Sequence, residues 1–202
     1  MIKKSYNTGA IFAWRFRFGL EAIERAYESS RSTADSEKRR LERNAQEVEK
    51  DLNSGEEMSD DDSNNLRDYQ DALGGWMAEN ESVLTIIRAA FVISVFHYLE
   101  KEMNSKLKVT DYDEKKVFST LREWGGALEV EKLIQLRLLA NCAKHSEGNS
   151  ATRLYEMRPD LFDAHKIGQG KPGADSLVLT DAHVEEFFSA VRKSMPSGRM
   201  RL

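Results

Sequence analysis

The first 158 residues contain no proline; the chain's three prolines are Pro159, Pro172 and Pro196. Proline removes a backbone donor and clashes with the preceding helical turn, so its absence lets long helices run uninterrupted. Apolar residues in this stretch recur with the helical period, and Leu177-Val178-Leu179 is the only short segment with strand character. The chain therefore reads as all-α.

Two long patterns organise it. Leu20, Tyr27, Ala34, Leu41 and Val48 fall every seven residues, while the companion line Ile23, Ser30, Glu37, Asn44, Asp51 turns polar after its first member. A coiled-coil seam needs both lines. This predicts a solvated helix over 20–52 with one narrow contact stripe. Ahead of it, residues 10–19 interleave aromatics with Arg15 and Arg17. They read as an amino-terminal arm completing a core; the other reading is stacking and phosphate contact on a single-stranded nucleic acid.

The second pattern is Leu66, Tyr69, Leu73, Trp76, Asn80, Leu84, Ile87, Phe91, Val95, Tyr98 and Met103, widened by Val83, Ile86, Ala90 and Ser94. It predicts a central helix that kinks or breaks at Gly74-Gly75 and is buried after Val83. Asn53-Ser54-Gly55 separates the two patterns. The carboxylates Glu56, Glu57, Asp60, Asp61 and Asp62 suit the positive end of the helix that follows, and lack the spacing of a calcium loop.

Composition narrows the function classes. Lys and Arg number 30 against 34 Asp and Glu, a net charge of −4, which argues against a general nucleic-acid coat but allows a local basic patch. The single Cys142 excludes an internal disulfide and a multi-cysteine zinc site. The opening residues lack the apolar core of a secretory signal. The apolar run Val83–Leu99 is interrupted by Arg88 and His97, so it is expected to be a buried core helix and not a membrane span. A cytoplasmic protein without cofactor or metal is the expectation.

Downstream, a short helix is expected over 113–124, closed by Gly125-Gly126. A helix over 127–145, apolar almost all round, should lie among others. Ser150 is expected to cap a helix over 151–157. Residues 164–176 read as a loop, and Thr180 or Asp181 should cap a last helix burying Val184, Phe187, Phe188 and Val191. His97 reads as a satisfied core histidine. His165 and His183 lack ligand spacing.

Arg137, Asn141 and His145 stand at i, i+4 and i+8, a polar stripe on the greasiest helix. A buried guanidinium needs a partner, so the stripe must meet carboxylates, a cleft or a ligand. Imidazole can move a proton near neutral pH and arginine can stabilise phosphate charge. Lys144 adds positive charge beside His145. The structural alternative pairs Arg137 with a neighbouring glutamate and leaves His145 at a helix carboxyl end.

The run Leu-Arg-Leu-Leu-Ala-Asn-Cys-Ala-Lys-His-Ser-Glu-Gly (136–148), after Phe-Val-Ile-Ser-Val-Phe-His-Tyr-Leu-Glu-Lys (91–101), resembles the HEPN superfamily of α-helical proteins over roughly residues 65–195. That resemblance implies a helical bundle, commonly dimeric, and in many members a metal-independent ribonuclease of toxin–antitoxin or antiphage systems. The family motif is an arginine, usually followed by a polar residue, with four to six residues before a histidine. Asn141 matches the polar residue and His145 the histidine. Ala140 stands where the arginine is expected, and Arg137, with seven residues between it and His145, is the nearest substitute. The motif is thus degenerate. On this resemblance Arg137, Asn141 and His145 are catalytic candidates and Lys144 a substrate-binding one, with RNA, a second copy or an antitoxin as partners. A non-catalytic dimerisation or partner-binding module is the alternative. The expected organisation is an aromatic arm and extended charged helix over 1–63, a HEPN-like helical bundle over 64–195, and a basic tail over 196–202.

Overall fold

The structure, a computed structural model, describes residues 8–54, 58–168 and 170–195. The tail 196–202 and the carboxylates Glu56 and Glu57 lie outside the described residues. Among the described residues there are seven α-helices: α1 (Thr8–Leu52), α2 (Asp60–Leu107), α3 (Glu114–Glu123), α4 (Val130–His145), α5 (Asn149–Met157), α6 (Ala164–Ile167) and α7 (Asp181–Ser194). Two short 3-10 turns, Pro159–Leu161 and Ala174–Ser176, complete the set. Among the described residues there is no strand. An isolated bridge joins Phe162 to Leu177, which is all that becomes of the strand-like segment. The all-α fold class holds.

Several local expectations are corrected. The aromatic segment 10–19 is not a separate arm: it is helical and belongs to α1. Helix α2 runs through Gly74-Gly75 without a break, both glycines lying where an added Cβ would meet nothing within 4 Å. The cost of about 1 kcal/mol per glycine is borne by the packed turns on either side. The cap of α5 is Gly148 and not Ser150. The segment 164–176 contains α6 and a 3-10 turn.

The chain forms two compact units, Met1–Ala26 with Arg88–Leu202, and Tyr27–Ile87. Both long helices contribute to each unit, and neither unit begins or ends at 63/64.

Within Tyr27–Ile87, α1 and α2 run antiparallel. Ala34 accepts a hydrogen bond from Asn80 Nδ2 at 3.3 Å, Lys38 pairs with Glu81, and Asn44 donates to the Tyr69 hydroxyl at 3.4 Å. The heptad line supplies the contact: Leu41 and Val48 bury against Leu73, with Ala45, Leu52, Leu66 and Met77 around them. Ser59 Oγ accepts from the amide of Asp62 at 3.1 Å, and Asp60, Asp61 and Asp62 occupy the first turn of α2, where the dipole favours them.

The larger unit is built on α4, whose Leu133, Gln135, Leu136, Leu138, Leu139, Ala140 and Cys142 are buried. It packs on α5 and α7. The start of α1 comes close to α2 at Gly19, where a Cβ would lie 2.1 Å from the Tyr98 hydroxyl. That hydroxyl donates to the Phe16 carbonyl at 3.1 Å. Helix α3 is capped by the Asp113 side chain and ends in a Schellman turn: Gly125, at φ +77°, donates to Arg122, and Gly126 donates to Leu121.

The second half of α2 is not buried as expected. Val92, Val95, Phe96, Leu99 and Met103 face the core, but Val83 and Ile86 are 42% and 67% exposed. Its length and composition would suffice to cross a membrane, and 28% of its most apolar window is buried. Tyr69 and Trp76, expected on the apolar stripe, are also exposed and meet edge to face at 6.2 Å. The periodicity marks an apolar face; a second neighbour to cover all of it is absent among the described residues.

Candidate functional site

Helix α4 delivers Asn141 and His145 to one place. Both line an open concavity of about 310 Å³, together with Ser146, Glu147, Gly148, Asn149, Ser150 and Ala151. His145 is exposed and Asn141 half-buried. The site exists because α4 stops abruptly and α5 starts within four residues. Ser146 makes the stop, with φ +59° and ψ −116°, a conformation that L residues other than glycine rarely adopt. Its amide donates to the Cys142 carbonyl at 2.8 Å, and its hydroxyl accepts from the Ala174 amide at 3.4 Å. Gly148, at φ +141°, then turns the chain into α5.

No side chain caps α5. The first amides of a helix have no intrahelical acceptor and sit at the positive end of its dipole. The first turn of α5 is the floor of the concavity, so a helix N-terminus, an imidazole and a carboxamide converge there. Glu147 is the one carboxylate in that lining.

Arg137 does not join them. Its Nε lies 3.0 Å from Glu114 Oε2 at the start of α3, with both side chains about 30% exposed. The contact is ionic without the alignment of a hydrogen bond. Tyr112 completes this second cluster, edge-on to Phe96 at 5.5 Å. Burial pushes its hydroxyl pKa well up, helped by the Glu114 carboxylate. Lys144 is exposed and outside the concavity's lining. Ala140, where the resemblance to HEPN proteins would expect an arginine, is fully buried in α4. Three residues of one sequence stripe thus divide between two environments.

His97 meets Glu100 at 3.0 Å, but its side chain is 43% exposed, so it is a satisfied surface histidine and not a core one. Cys142 is buried, which raises its thiol pKa to about 11 and makes it inert. No group of three or more His, Cys, Asp or Glu gathers among the described residues in a way that would hold a metal.

Sequence reasoning missed a charged network centred on Arg158. Its guanidinium donates to Asp160 at 2.8 Å, to Gln135 Oε1 at 3.1 Å and to Glu186 at 3.1 Å, and Lys132 also pairs with Glu186. His183 Nε2 lies 3.6 Å from Asp160. The Arg158 hydrogen bond holds the Asp160 carboxyl below its ordinary pKa, while burial and then the Arg158 charge lower that of His183. The partners come from α4, from the 3-10 turn after α5, and from α7, and only Asp160 lies close to Arg158 along the chain. Every group is satisfied, so the network serves to clamp three helices.

Comparison with protein-family models, with curated proteins and with solved structures finds no match for this chain.

Proposed function

We propose that the chain is a HEPN-like helical protein acting on RNA as a metal-independent ribonuclease or toxin, in the setting of bacterial antiphage defence. One observation carries this reading: Asn141 and His145 share an open concavity with the uncapped first turn of α5. A helix N-terminus favours a phosphate without any added cation. In this mechanism the ribose 2′-hydroxyl attacks the adjacent phosphorus and the 5′-oxygen leaves, giving a 2′,3′-cyclic phosphate. His145 moves the proton, Asn141 orients the phosphate or the imidazole, and the α5 amides meet the phosphorane charge. Arg137 would take part only by leaving Glu114. Lys144 would contact a flanking phosphate. A homodimer, as the family resemblance implies, would bring two such concavities together in the cytoplasm.

The test is cleavage of mixed RNA in EDTA by wild type and His145→Ala. Cleavage abolished in the variant, with 2′,3′-cyclic ends from the wild type, is the expected result. Equal cleavage by both proteins would end the proposal.

A second reading is a non-catalytic module that dimerises or binds an antitoxin or other defence-system protein. The Arg137–Glu114 ion pair favours it, since it holds Arg137 away from the histidine.

A further inference from the structure

We infer that the first turns of α1 and the carboxyl end of α2 form a platform for a single-stranded polynucleotide, its bases stacking on Trp14 and Phe18 and its phosphates meeting Arg15, Lys106 and Lys108. This surface is separate from the His145 concavity and does not depend on the reading given there.

The aromatics of 10–19 divide into two sets. Phe12 and Phe16 turn inward: Phe12 packs on Trp124 with ring centroids 5.2 Å apart, and Phe16 on Tyr98 at 4.8 Å. Those two complete the core. Trp14 and Phe18 do not; they are 69% and 64% exposed. One turn apart on the helix, their centroids are 6.4 Å apart and their planes 22° from parallel, so two flat apolar faces are offered side by side. Single exposed apolar residues are ordinary, whereas a pair of large stacked rings calls for a ligand with its own π faces.

The charge beside them is the second observation. Ile11 and Arg15 share the exposed side of α1 with Trp14 and Phe18, and both line a groove of about 390 Å³ with Phe12, Glu102, Ser105, Lys106 and Lys108. Three cations against one carboxylate make this groove basic in a chain whose net charge is −4. The Lys106 ammonium lies over the Trp124 ring at 5.7 Å, which ties the basic wall to the same aromatic packing that positions Phe12. Stacking rings flanking a cationic groove are what a single strand needs: π faces for bases and point charges for the backbone.

Other occupants fit less well. A second copy docking face to face would bring Arg15 near its own counterpart. A bilayer needs a broad apolar face, and beyond Phe18 this side of α1 continues with Ala22 and the exposed Glu21–Arg25 pair.

The experiment is fluorescence anisotropy of the full chain at low salt with a labelled oligo(U) carrying 2′-O-methyl sugars, which blocks cleavage, and with oligo(dT). Saturable binding is expected. It should weaken roughly thirtyfold or more in a Trp14→Ala/Phe18→Ala variant, since stacking on each of the two rings is worth about five- to a hundredfold. The unchanged melting temperature of that variant confirms its fold. Arg15→Gln and Lys106→Gln should each lower the slope of log affinity against log salt by about 0.7. Equal binding of the two oligomers means that base and phosphate chemistry suffices, and tighter oligo(U) means the sugar is also read; either supports the platform. No saturable binding, equal affinity for a duplex, or wild-type affinity in the double variant would overturn it. A double variant that loses self-association with unchanged oligomer affinity would assign the face to protein contact instead.

Discussion

Arg137 and His145 occupy one helix face in projection, yet their side chains answer to different neighbours. The guanidinium is long enough to reach Glu114 on α3, and a half-buried charge goes to the nearest opposite charge. A double-mutant cycle with Arg137→Ala and Glu114→Ala should therefore return a coupling of about 0.5–1 kcal/mol in urea denaturation. A coupling of zero would mean that Arg137 is available to a substrate. His183 gives a second prediction. Its Nδ1 accepts from the Thr180 amide at 3.2 Å, so the folded state wants it neutral, in line with its lowered pKa. Below about pH 6.5 the unfolded chain takes up a proton that the folded chain resists, and stability falls with pH. Asp160, held down by Arg158, acts in the same direction below its ordinary value of 3.8. The urea midpoint should be flat from pH 6.5 up to the approach of pH 9.0, where the Cys142 thiol of the unfolded chain begins to ionise, and decline below pH 6.5; His183→Gln should remove the upper part of that acid-side decline.

Elements show why some of the fold was legible and some not. The seven-residue line of α1 is buried at every member, from Leu20 at 1% to Val48 at 5%, because a helix with one apolar line has only one way to face a neighbour. The buried stripe of α2 is narrower than its periodicity predicts: Tyr69, Trp76, Val83 and Ile86 follow the helical period but stay exposed. Periodicity reports which residues share a face and is silent on whether anything covers it. Likewise the alternation of aromatics in 10–19 separated Phe12 and Phe16 from Trp14 and Phe18 only once α1 was seen to begin at Thr8. The close approach of α1 and α2 at Gly19 can be tested alone. Gly19→Ala should cost about 1–3 kcal/mol through overpacking against Tyr98. In a Tyr98→Ala background the same change should cost little, and persistence of the full penalty there would reject the contact.

At the scale of the whole molecule, the two compact units differ in how much apolar packing supports them. Tyr27–Ile87 buries Tyr27, Ala34, Leu41, Val48, Leu73 and Leu84, whereas the larger unit holds Phe187, Phe188, Leu133, Leu136 and many others. Regions with few buried contacts open at lower free energy. Leu41→Ala should remove about 2–5 kcal/mol of packing, and hydrogen exchange should show protection lost first over residues 27–87 while α4 and α7 stay protected. Uniform loss would show that the units unfold together.

The sequence by itself determined the class of the fold, because freedom from proline and the helical period leave little besides helices. It determined helix ends wherever the signal is local: Asp113, Thr180 and the Gly125-Gly126 pair cap or close helices through neighbours a few residues away. It also placed Asn141 and His145 on one face, since i and i+4 always share one. Only the tertiary structure decided that Arg137 turns to Glu114, that Arg158 clamps three helices, and that Ser146 bends the chain to open a concavity beside His145. Those outcomes depend on which distant side chain lies closest in space, and distance along the chain carries no record of it.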